Sequence, residues 1–62
     1  MNTIEVGDFI EVPTWKTFGQ VVSVQPSQIR PGAQDVMLQE HPEQAIRNCR
    51  TYRLMPGEYT FA

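Results

Sequence analysis

Three of the chain's five basic residues, Arg47, Arg50 and Arg53, fall within seven positions, with Tyr52 among them. Guanidinium groups are donors that keep their charge, and an aromatic ring beside them offers a stacking face. The grouping therefore suits an anion: a phosphate backbone or an acidic loop of a protein partner. On a helix the spacing would bring all three near one face. On a strand, Arg50 and Arg53 would point to opposite faces. The plainer reading is that the arginines are solvated and pair with Glu40, Glu43 or Glu58, each exposed pair contributing about 0–1 kcal/mol.

A second place for chemistry is the loop around Trp15, Lys16 and Phe18. Tryptophan on a loop is a favoured interface anchor. The structural alternative is that Trp15 or Phe18 folds back over an open end of the core, and for Phe18 the core is the expectation. His41 and Cys49 have the atoms for a thiolate nucleophile or a zinc site. A nucleophile also needs an orienting partner and an oxyanion site, and zinc usually takes four ligands. No recognisable spacing meets either need, so His41 reads as a loop residue and Cys49 as a buried apolar one. No catalytic residue, metal ligand or cofactor is assigned. Glu5, Asp8 and Glu11 form an acidic stretch opposite in sign to the arginines. It suits an oriented partner or head-to-tail self-association, or simply the solubility of an edge strand.

The elements that must position these groups are short. Five prolines and four glycines cut the 62 residues into pieces of strand length and leave little room for helices. Asp8 to Val12 alternates, with Ile10 and Val12 on one face and Phe9 and Glu11 on the other; Pro13 ends it. A loop over Thr14 to Phe18 leads to Gly19 and a β-branched strand, Gln20 to Gln25. There Val22 and Val24 share a face, and Val21 and Ser23 take the other. Gln25 to Gln34 has no periodicity, but Pro31-Gly32 signals a turn. Nothing in it matches a nucleotide-binding glycine pattern, and Ile29 and Arg30 are its candidate contacts. A third strand, Asp35 to Glu40, puts Val36 and Leu38 together. Glu43 to Arg50 reads either as one helical turn, with Ala45, Ile46 and Cys49 on a face, or as strand. Thr51 to Leu54 is strand with Tyr52 and Leu54 on one side. Met55 to Glu58 is a tight turn, and Tyr59 to Ala62 a last strand in which Phe61 is expected in the core and Tyr59 near a binding face.

These pieces describe one all-β domain over residues 1–62: a five-stranded, strongly bent barrel with one short helical turn near residues 43–49. Val6-Gly7-Asp8-Phe9-Ile10-Glu11-Val12, then Gly19-Gln20-Val21-Val22-Ser23-Val24, then a closing strand after Pro56-Gly57 resemble the SH3-like barrel class across most of the chain. Trp15 ahead of Gly19-Gln20-Val21-Val22 is similar to type II dihydrofolate reductases. That likeness would imply a tetramer binding a reduced dinucleotide. Their Val-Gln-Ile-Tyr signature has no counterpart, because Arg50-Thr51-Tyr52-Arg53 occupies that region and Val24-Gln25 runs into Pro26, so the catalytic residues do not carry over. Length and rhythm are also similar to the small accessory subunits of photosynthetic electron-transfer complexes, which implies docking on a larger assembly. The glycine-centred second strand resembles KOW-like barrels, which bind RNA or ribosomal and transcription partners and are usually more basic.

Seven acidic against five basic residues, a formal charge of −2, argue against charge-driven binding to nucleic acid or membrane. No apolar run approaches the ~18 residues of a membrane span, and the first residues lack the marks of a signal peptide. A soluble cytoplasmic protein is expected. A chain this short offers little room for a concave catalytic pocket. The expected function is a non-catalytic interaction module or regulatory subunit that docks on a larger protein through Trp15, Lys16, Ile29, Arg30, Arg47, Arg50, Tyr52 and Arg53. A nucleic-acid binder using the same groups and an oligomeric reductase-like enzyme are the alternatives.

Overall fold

The computed structural model describes residues 3–62; Met1 and Asn2 lie outside it. Strands β1 (Phe9–Val12), β2 (Thr17–Pro26), β3 (Gln34–Gln39), β4 (Arg50–Leu54) and β5 (Thr60–Phe61) form one antiparallel sheet in the order β4-β3-β2-β1-β5. Two 3-10 turns, Pro13–Trp15 and Ile46–Asn48, complete the elements. The second settles the open reading of residues 43–50: one helical turn, then strand from Arg50.

Alternation does most of the work. Ile10 and Val12, Val36 and Leu38, and Tyr52 and Leu54 each share the inner face and are buried. Fully burying an aliphatic side chain of this size is worth about 1.5–3 kcal/mol, so Ile10, Leu38 and Leu54 carry much of the stability. Ile4 joins this core from a segment outside any strand.

β2 departs from the expected phase. Its register against β3 steps from Val21↔Leu38 to Ser23↔Met37, leaving Val22 as the extra residue of a bulge. Thr17, Gly19 and Val21 therefore face inward, and Val24 regains the inner side beyond the bulge, where it packs against the core. Val21, rather than Val22, thus shares the inner side with Val24. Thr17 and Phe18, expected in the loop, already pair with Val12 and Glu11. That pairing turns Phe18 outward, about half exposed, rather than into the core. The last strand is also redistributed. Tyr59 packs against the core, whereas Phe61, paired with Ile10 at the sheet margin, is 39% exposed.

The turns follow their sequences. Arg30-Pro31-Gly32-Ala33 closes with the Ala33 N–H donating to the Arg30 carbonyl (3.1 Å), and Gly32 takes the positive φ of 86° that a type II turn needs. The Ser27 hydroxyl accepts from the Ile29 and Arg30 N–H groups. Residues 40–49 are tied by Gln44, whose side chain accepts from the Glu40 N–H (2.7 Å) and donates to the Asn48 carbonyl (3.0 Å).

Candidate functional site

The register sorts the expected contact residues into three places. The C-terminal end of β1, the start of β2, the end of β3 and the start of β4 lie at one end of the sheet. Trp15, Lys16 and Arg50 belong to that end, and the 3-10 turn carrying Arg47 leads into it. Ile29 and Arg30 project from the β2–β3 loop at the opposite end, and both are exposed. Arg53 is on the outer face, where its Nε donates to Asp35 Oδ1 at 3.0 Å across the β3–β4 pair. The expected single surface is thus divided, and the partner of Arg53 is Asp35 rather than Glu40, Glu43 or Glu58.

The Trp15 end is built around one aromatic contact. Pro13 opens the 3-10 turn with φ preset, and the turn stops at Lys16, whose φ of 52° and ψ of 42° are left-handed. This places the Trp15 ring against Tyr52 of β4, with centroids 5.9 Å apart and planes tilted by 57°. Tyr52 is 7% exposed and belongs to the core, whereas Trp15 remains 61% exposed. Arg50 is two residues from Tyr52 on the same side of β4, opposite Leu38, so it stands about 7 Å along the strand from the ring's mount. Lys16 and Arg47 are both exposed. At the same end, the buried Thr17 hydroxyl donates to the Glu40 carboxylate. Chemically, this end offers an apolar ring held from below, with exposed cations at the same end of the sheet.

No family model, curated protein or solved structure matches the chain.

The remaining candidates are modest. The Cys49 thiol is directed to the Ala45 carbonyl at 3.5 Å, within its own turn, and His41 is exposed. Among the described residues, no three His, Cys, Asp or Glu side chains stand together as a metal site requires. No described helix is long and apolar enough to cross a membrane. Glu5 and Asp8 of the acidic stretch are partners in one turn: the Glu5 N–H donates to Asp8 Oδ2 (2.8 Å) and the Asp8 N–H to the Glu5 carbonyl (3.1 Å).

Sequence reasoning overlooked one feature. Phe9 of β1 and Phe18 of β2 stack on the outer face, centroids 6.0 Å apart and planes 19° from parallel, beside a concavity of about 450 Å³ lined also by Gly19, Gln20, Gln39, Glu40 and Pro42. The available signal was Phe9 itself: an aromatic on the strand face opposite Ile10 and Val12 has no core to fill.

Proposed function

We propose that this protein is a non-catalytic interaction module of the SH3-like barrel class, a small regulatory or accessory subunit that docks on a larger protein through the Trp15 end. The observation that carries this reading is Trp15, which keeps 61% of its surface exposed while its ring rests on the buried Tyr52. An anchor held this way loses little conformational freedom on binding. Docking desolvates the indole, and Lys16, Arg47 and Arg50 orient it toward carboxylates of the partner.

The test uses the tagged chain and its W15A and R50E variants as baits in lysate of the source cells. A partner retained by the parent chain and lost with both variants is expected; equal retention by all three overturns the Trp15 end as the contact. Anisotropy titrations with single-stranded RNA and DNA at ~50 and ~200 mM salt separate the nucleic-acid alternative, because phosphate binding releases counterions and weakens steeply with salt. Binding that collapses at the higher salt, and is lost when Arg47 and Arg50 become alanine, would replace protein docking by nucleic-acid docking. A stable tetramer in sedimentation that binds reduced dinucleotide would replace both with the enzyme.

A further inference from the structure

We infer that the Phe9–Phe18 concavity is a second docking site, and that its occupant is a basic segment of a protein partner carrying a large apolar side chain between lysines or arginines. Both rings are about half exposed, at 48% and 49%, although each belongs to a regular strand pair. Their faces are available because Ile10, Val12, Thr17 and Gly19 occupy the inner side of the same two strands. A volume near 450 Å³ accommodates one large side chain with part of its backbone.

The lining chooses the sign of the charge. Gln20 donates its amide nitrogen to the Gly7 carbonyl (3.2 Å), and Gln39 donates its own to the Gln44 carbonyl (2.8 Å). Each side-chain oxygen then has no donor among the described residues and is available as an acceptor. Glu40 lines the concavity, and Glu11 pairs across from Phe18 on the same outer face. No lysine or arginine is among the lining residues. Donors with positive charge satisfy this surface, and they can lie over the phenylalanine faces as cation–π partners.

The spread of the acids favours a chain over a small cation. Glu11 on β1 and Glu40 at the end of β3 stand on either side of β2, two strand spacings or about 10 Å apart. One ammonium group cannot reach both sides, whereas a peptide with spaced cations can.

The probe is a fluorescein-labelled nonapeptide with a central leucine flanked by lysines, titrated into the full chain, with a peptide in which glutamates replace the lysines as control. Saturable binding of the basic peptide alone is expected, reduced at least tenfold by F18S and by F9S and severalfold by E11Q, and unchanged by W15A. Circular dichroism of each variant establishes that it remains folded. Failure to saturate below millimolar protein, or binding indifferent to F9S, F18S and E11Q, overturns the proposal. Sedimentation of the chain alone addresses the rival occupant: a dimer abolished by F18S would assign the concavity to a second copy and overturn the partner segment. The W15A arm keeps this result distinct from the fate of the Trp15 end.

Discussion

Two exposed aromatic patches among the described residues, the Trp15 end and the Phe9–Phe18 pair, are mounted in opposite ways. At the Trp15 end the exposed ring leans on Tyr52, a member of the core, with lysine and arginine around it. On the outer face Phe9 and Phe18 lean on each other, away from the core, with carboxylates around them. The first patch shares a residue with the fold's stability; the second does not. Changes at the first therefore alter folding and recognition together, while the second is free to vary in chemistry at little cost to the fold.

Truncating Tyr52 should break that contrast most severely. Aromatic-to-alanine changes in a core cost about 3–5 kcal/mol, against a total on the order of 3–9 kcal/mol for a domain this size. Urea unfolding of Y52A should show most of the stability gone, whereas F18S should lie within about 0.5 kcal/mol of the parent chain. Similar losses in the two variants would mean that the outer rings are structural after all.

Gly19 sharpens the comparison, because it lines the concavity yet is fixed by the backbone. A Cβ there would lie 2.7 Å from the Gln39 carbonyl oxygen and 3.1 Å from its carbon, neither of which can move alone. G19A should cost about 1–3 kcal/mol by the usual penalty for overpacking. It should also weaken the basic peptide by shifting β3 away from β2. A neutral G19A, measured by thermal denaturation, would show that the end of β3 yields more easily than its pairing suggests.

The smallest effect concerns Lys16. A left-handed residue with a side chain costs about 1–2 kcal/mol, and glycine gives back roughly 0.5–1 kcal/mol in chain entropy. K16G should therefore be up to about 1.5 kcal/mol more stable while binding an acidic partner less well, since a cation is lost. A gain in melting temperature with unchanged partner capture would show that Lys16 shapes the turn without contributing to recognition.

Much of the fold was readable because inward pairs such as Ile10 and Val12 or Tyr52 and Leu54 are two positions apart, and because Pro31-Gly32 and Pro56-Gly57 mark their turns. What escaped depends on partners distant in the chain. Val22 looks like Val24's neighbour until β3 imposes the bulge. Phe18 looks like a loop-borne core residue until pairing with Glu11 sets its direction. Arg53 finds Asp35 eighteen residues away, beyond the nearby glutamates that composition suggested. The candidate contact residues were legible as types, but their division between two ends and a face is a matter of register.

The bulge at Val22 leaves its mark on which changes of length this chain can absorb. Elsewhere in β2, losing one residue turns every later side chain over, exchanging core for surface. Losing Val22 itself restores plain alternation, with Val21 and Val24 still inward and Ser23 still outward. Because Val21 and Val22 are both valine, deleting either codon gives the same chain, and at this pair a codon deletion leaves the inside and the outside of the protein in their places.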